Sequence, residues 1–214
     1  MAKLVLVRHG ESEWNEKGLW TGWTDVSLTE KGKIEARAAG EGLKNISFDT
    51  AFTSRLTRAQ QTLTEILEVI EQQNIPIVEA AELNERSYGI YTGKNKWEVQ
   101  KEVGDARFLQ IRRGWDTDIP EGESLKQVYT RVEPYYINTI LPLLAQGKNL
   151  LIAAHGNSLR ALIKYLENIP DENIGSLELA TGEAYIYEVD PSGTILNKEI
   201  RGGKQESHPD GNSL

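Results

Sequence analysis

The chain has 214 residues, a net charge of −8, 39% hydrophobic and 26% charged residues, the balance of a globular rather than a disordered protein. It has no cysteine and only three widely separated histidines, which excludes disulfides, thiol chemistry and cysteine-ligated zinc and argues against a histidine metal cage. The acidic balance argues against general nucleic-acid binding, although a local basic pocket would still hold a small anion. No run approaches the roughly 18 apolar residues of a membrane span. The apolar stretch Leu4–Val7 is too short for a secretory signal, so the expected location is the cytoplasm.

Lys3–Val7 (KLVLV) reads as a strand buried in a parallel sheet. It ends at Arg8-His9-Gly10, where ligands bind in open α/β sheets. Ser27-Leu28-Thr29-Glu30 reads as a capping box opening an alanine-rich helix to about Leu43. Asp49–Thr53 predicts a strand. Leu56–Gln73 predicts a helix with Leu63, Ile66, Leu67 and Ile70 on one face, and Ile75–Glu79 a short strand. Leu83–Gly122 is the least regular part, with one short helix near Asn95–Val103, and such stretches are usually functional loops. Ser124–Ala145 predicts a long helix with Pro134 and Pro142 as candidate kinks. Asn149–Ala154 is a second buried strand, running into His155-Gly156-Asn157-Ser158 and a helix over about Leu159–Leu166. Ala184–Val189 and Thr194–Ile200 predict a hairpin around Asp190–Gly193. No internal repeat is visible. The alternation predicts an α/β three-layer sandwich, a mostly parallel central sheet with helices on both faces. The expected organisation is a single domain over 1–200 and a polar, mobile tail over 201–214. His208 lies in that tail and is given no role.

Two buried strands thus each end in a histidine followed by glycine, at His9-Gly10 and His155-Gly156. Taken alone, either histidine reads more readily as a strand-end residue satisfied by backbone. Together, with arginine beside one and glycine after each, they point to two rings aimed at one cleft that backbone can approach closely.

The run LVRHGESEWN ending at Asn15 resembles the signature of the histidine phosphatase superfamily, also called the phosphoglycerate mutase-like family. The match continues through Trp20-Thr21-Gly22-Trp23, Asp25, Leu28 and Lys31-Gly32, then Thr53-Ser54-Arg55-Leu56-Thr57-Arg58-Ala59 and Leu83-Asn84-Glu85-Arg86-Ser87-Tyr88-Gly89. Gly93-Lys94-Asn95-Lys96, Arg112-Arg113, Pro120–Leu125 and Ala154-His155-Gly156-Asn157-Ser158 complete the set. The resemblance spans about residues 3–190 and is strongest to the cofactor-dependent mutase branch, which interconverts 3- and 2-phosphoglycerate in glycolysis and gluconeogenesis.

The resemblance implies His9 as nucleophile, forming a phosphohistidine primed by 2,3-bisphosphoglycerate. It also implies Arg8, Arg58 and His155 as the clamp on the transferring phosphoryl oxygens. The chemistry agrees: imidazole must be neutral to attack phosphorus, nearby arginines favour that state, and the guanidinium fork suits phosphate. Glu85 is the implied general acid and base. Glu82 is close by, and only the motif prefers Glu85. Lys96, Arg112 and Arg113, with Tyr88, Thr21, Gly22 and Asn15, would hold the second anionic group of a mutase substrate. Ser12, Gly156 and Asn157 would add contacts to phosphate or carboxylate. No metal is implied, and activity is expected to survive excess EDTA. The alternative is a phosphatase of bisphosphoglycerate or sugar phosphates on the same fold. Leu19 stands where relatives often have a basic residue, and the tail lacks an alanine-rich ending, which favours some hydrolysis. Trp14, Trp20, Trp23 and Trp97 are read mostly as packing. The resemblance leaves the number of subunits in any homo-oligomer open.

Overall fold

The computed structural model describes residues 1–202. Its six-stranded sheet is built from β1 (Ala2–Arg8), β2 (Thr50–Thr53), β3 (Ile77–Glu79), β4 (Leu150–Ala154), β5 (Ala184–Val189) and β6 (Ile195–Arg201), in the order β3-β2-β4-β1-β5-β6. The first four in that order pair in parallel, and β5 and β6 are antiparallel additions at one edge. The α/β sandwich with a mostly parallel sheet is therefore present.

The pleat of β1 sends alternate residues to opposite faces, and both faces are covered. Leu4 and Leu6, with Leu150 and Ile152 of β4, pack under α6 (Leu125–Tyr135), α7 (Leu141–Ala145) and α8 (Gly156–Glu167). Val5 and Val7, with Leu151 and Ala153, pack against α2 (Glu30–Glu41) and α3 (Thr57–Val69). Burial on both sides is why these strands read as unbroken apolar runs rather than alternating ones. A third cluster lies beyond the carboxyl ends of the strands, where Trp20, Tyr88 and Tyr91 meet Val99, Phe108, Ile111 and Ile119.

The structure corrects several sequence expectations. The cap of α2 is Thr29, whose hydroxyl accepts from the Gly32 N–H, rather than Ser27. Four residues over Glu13–Glu16 form a short helix, α1, capped by Ser12. The irregular middle holds two helices, α4 (Lys96–Val103) and α5 (Asp105–Arg113), joined at Gly104 with φ near 80°. In α5 only Phe108 and Ile111 are buried, too few apolar positions for a periodic signal. The long helix after Ser124 widens into a π turn, Tyr136–Ile140, between its two prolines. Proline donates no N–H to the preceding turn, and a π turn is a recurrent way to absorb a break in the ladder. Helix α8 begins at Gly156, directly after His155, rather than at Leu159. Of the expected tail, Arg201 closes β6, Gly202 follows it, and residues 203–214 lie outside the described residues.

Candidate active site

Because β1 and β4 are neighbours in register, with Arg8 opposite Ala154, the residues that follow them are neighbours too. The His9 N–H donates to the Ala154 carbonyl at 2.9 Å, and the His9 and His155 rings lie 5.0 Å apart, edge to face. Both rings are buried. Two histidines 146 positions apart meet because parallel strands end together.

The tautomer of His9 follows from one contact. Its Nδ1 lies 2.7 Å from the Gly10 carbonyl oxygen. A carbonyl only accepts, so Nδ1 carries the proton and the lone pair sits on Nε2. Burial, then the charges of Arg58 and Arg8, hold the His9 pKa well below its ordinary value, outweighing the Gly10 bond that raises it. His155 is lowered in the same way, by burial first and then Arg58. Its Nε2 pairs with the buried Ser54 hydroxyl at 2.7 Å, and its Nδ1 has no partner among the described residues.

Two arginines flank the rings. Arg8, at the end of β1, donates through Nη1 to the Leu179 carbonyl at 2.6 Å, while its Nε is buried and has no partner among the described residues. Arg58, on the first turn of α3, donates to the Thr24 and Gly22 carbonyls. Neither contact is to a carboxylate, so both charges remain available to an anion.

Glu85 lies opposite. Its Oε1 accepts three N–H groups, from the Arg86 backbone at 2.7 Å and from the Asn157 backbone and side chain at 3.2 and 3.0 Å. Oε1 is thereby saturated, and Oε2 remains for exchange with a ligand. Arg160, a pure donor, bonds Asn157 Oδ1 at 3.2 Å, which settles the orientation of that amide and aims its NH2 at Glu85 and at the Tyr88 hydroxyl.

One pocket gathers most of the expected residues: Arg8, His9, Asn15, Thr21, Gly22, Arg58, Glu85, Tyr88, Lys96, Arg112, Arg113, Gly156 and Asn157 line it. His155 is not part of the wall and sits buried against His9. Ser12 does not line it either; its hydroxyl and backbone N–H are engaged by Asn15 in capping α1. Arg113 is shared with Glu178, which forms an ion pair with it. Of the two nearby glutamates, Glu85 lines the wall and Glu82 does not. Of the tryptophans, Trp20 is buried and also lines the pocket, while Trp23 is half exposed and donates its indole N–H to the Glu85 carbonyl.

Sequence reasoning missed Arg160, Leu179 and the partner role of Ser54. Arg160 carried a usable signal, since it lies three residues after Asn157 on one helix face. Leu179 carried none, because only tertiary folding brings its carbonyl to Arg8.

Six cationic side chains, Arg8, Arg58, Lys96, Arg112, Arg113 and Arg160, line the pocket against one carboxylate, Glu85. Ligand atoms of His9, Glu85 and His155 lie within 4.8 Å of one another, close enough for a metal ion. The guanidinium charges that keep the two rings neutral oppose a divalent cation there and fit an anion. Buried nitrogens on Arg8 and Arg160, both in the wall and without a partner among the described residues, fit the same charge.

Comparison with known proteins agrees with this geometry. The family model for the histidine phosphatase superfamily (branch 1) matches residues 4–199. A relative from Beijerinckia indica, named 2,3-bisphosphoglycerate-dependent phosphoglycerate mutase, is 49% identical over 92% of this chain and 96% of its own. A relative of the same name from Mesorhizobium japonicum is 48% identical over 94% and 98%. Among solved structures, Bacillus stearothermophilus YhfR superposes with a TM-score of 0.79 at 28% identity, covering 91% of this chain and 94% of that one. The α-ribazole phosphatase of Shigella flexneri superposes at 0.76 and 27% identity, covering 90% and 93%. The chain belongs to the histidine phosphatase superfamily, branch 1.

Proposed function

We propose that this protein is a 2,3-bisphosphoglycerate-dependent phosphoglycerate mutase, interconverting 3- and 2-phosphoglycerate, the step shared by glycolysis and gluconeogenesis. The observation that carries the reading is the joining, in one pocket, of the histidine–arginine cluster at the ends of β1 and β4 with a second cationic cluster of Lys96, Arg112 and Arg113. A phosphatase needs only the first cluster. The near-50% identity to mutases over almost the whole chain supports the same choice, and the phosphatase alternative has no comparable support. One catalytic domain over 1–200 belongs to the proposal, since a single sheet carries both histidines.

In this reading His9 Nε2 attacks the phosphorus of 2,3-bisphosphoglycerate. The bond from phosphorus to the glycerate oxygen breaks, and that oxygen takes a proton from Glu85 Oε2. In the second half, the hydroxyl of a monophosphoglycerate attacks the phosphohistidine. Glu85 takes the hydroxyl proton, and the N–P bond breaks to regenerate neutral His9. Arg8, Arg58 and His155 hold the equatorial oxygens, where charge is spread in the transition state. Pre-aimed donors of this kind are worth about 3–4 kcal/mol each. Lys96, Arg112 and Arg113 hold the second anionic group, so the intermediate turns over before phosphate is lost to water.

Phosphorus NMR of 3-phosphoglycerate, with and without catalytic 2,3-bisphosphoglycerate, tests the proposal. The expected result is 2-phosphoglycerate that rises with the primer, disappears in His9→Ala and is unchanged in excess EDTA. Accumulation of inorganic phosphate in its place would overturn the mutase reading while leaving the nucleophile and clamp intact.

A further inference from the structure

The Glu85 side chain is positioned by Asn157, but its backbone is positioned from behind. Arg131, on α6, donates through Nη1 to the Glu82 and Asn84 carbonyls at 2.6 and 3.0 Å, and through Nη2 to the Glu85 carbonyl at 3.0 Å. The other edge of the guanidinium grips Glu123, with Nε to Oε1 at 2.9 Å and Nη2 to Oε2 at 3.1 Å. Glu123 Oε2 in turn accepts the Ser87 N–H at 2.8 Å, and the Glu123 N–H donates to the Ser87 carbonyl at 2.9 Å. The segment 82–87 that carries Glu85 is thus held on both sides of the glutamate by one ion pair. The pair is four-fifths buried, with each side chain 19% exposed.

Neither member of the pair lines the pocket. As an ion pair alone, the partly buried Arg131–Glu123 contact has no advantage over apolar packing for stability. What the guanidinium fork supplies is direction. Its planar donors reach three carbonyls and a bidentate carboxylate in one fixed geometry.

We propose that Arg131 and Glu123 are positioning residues for general acid–base catalysis, setting the backbone of Glu85 so that Oε2 meets the glycerate oxygen. The inference rests on the acid–base reading of Glu85. It makes a selective prediction, because only a transfer whose leaving oxygen needs a proton depends on that placement. Phosphoryl transfer from phosphoramidate to His9 needs none: His9 Nε2 attacks phosphorus, the P–N bond breaks, and the nitrogen leaves as ammonia already protonated in the reagent.

The experiment compares native protein, Arg131→Met, Arg131→Lys and Glu123→Gln in two reactions. One is primed conversion of 3-phosphoglycerate. The other is phosphorylation of His9 by phosphoramidate, followed by intact-protein mass spectrometry. A misplaced catalytic group costs about a hundredfold, within the range that general acid–base catalysis supplies. Arg131→Met should therefore lower kcat for conversion about 30- to 100-fold, leave KM within about threefold and leave the phosphoramidate rate within about twofold. Arg131→Lys keeps the charge without the fork and should recover only part of the loss. Glu123→Gln keeps the shape and should show the same selectivity at about three- to tenfold. It also serves as the test if Arg131→Met does not fold. An equal fall in both reactions would make the pair merely structural, and no fall in either would remove it from catalysis. Glu85→Gln in the same assay separates the two readings. If Glu85→Gln converts 3-phosphoglycerate as well as native protein, the reading of Glu85 itself fails. If it does not, while the Arg131 and Glu123 variants do, only this inference fails.

Discussion

His9 and His155 are kept neutral by two forces of the same sign, burial and the adjoining guanidinium charges. That neutrality is what the proposed nucleophilic role of His9 requires, and it ties stability to pH. In the unfolded chain a histidine titrates near 6.5. Below that value the unfolded state takes up protons that the native state does not. The contribution is therefore complete above about pH 6.5 and is lost as pH falls, by about 1.4 kcal/mol per pH unit for each ring. Urea unfolding at about pH 7.5 and pH 5.5 should show native protein losing more stability than the His9→Asn/His155→Asn variant, which has no imidazole to protonate at either position. Equal losses would mean that the rings titrate in the folded state as they do in the unfolded chain. The placement of Arg8 and His9 in the pocket was readable from local sequence because Arg8-His9-Gly10 follows a strand with no gap. The hydrogen bonds of the Asn157 side chain were not. Its expected contact to phosphate or carboxylate came from the motif, and the structure adds that its side chain bonds Glu85, Tyr88 and Arg160 at the pocket wall.

Among the elements, α2 decides how closely the His9 loop is held. A Cβ on Gly32 would lie 2.0 Å from the Glu11 carbonyl oxygen, and one on Gly10 would lie 2.1 Å from the Gly32 oxygen. Backbone meets backbone here, so nothing flexible can yield. Alanine is normally better than glycine inside a helix by about 1 kcal/mol, and the contact reverses that preference. Gly32→Ala should destabilise the protein by about 1–3 kcal/mol, as overpacking does, and lower activity because Glu11 is two residues from His9. Thermal unfolding and the conversion assay check this; a more stable, fully active variant would show that α2 moves freely. Helix α5 is the element that the sequence concealed. Its two buried residues gave no stripe, yet it presents Arg112 and Arg113 at its C-terminal end, where cations are favoured by the helix dipole.

At the scale of the whole molecule, a chain of net charge −8 admits an anion through a pocket lined by six cations and one carboxylate. The acidic surface repels the substrate, and the pocket attracts it, so salt acts on both and its net sign reports which field reaches further. Attraction should win, because the cations converge on one cleft that focuses their field while the acidic groups are dispersed. Raising ionic strength from about 0.01 to 0.3 M shortens the Debye length from about 30 to 6 Å. It should lower kcat/KM several-fold, through KM, with kcat unchanged. An increase would mean that surface repulsion dominates approach. Among the described residues no helix is long and apolar enough to cross a membrane.

By itself the sequence determined the strand–helix alternation, the covered parallel sheet, and the two strand ends that carry histidine. These follow from short-range patterns: apolar runs, caps and glycines. Only the tertiary structure decided that the two rings meet, because strand order is a matter of which apolar faces bury together, and β4 is inserted beside β1 after 141 intervening residues. The tertiary structure also decided that Glu85 rather than Glu82 faces the pocket. A one-dimensional pattern distinguishes carboxylates by type and spacing. Which one is aimed is set by the hydrogen bonds of Asn157, Trp23 and Arg131, all distant in the chain and none periodic.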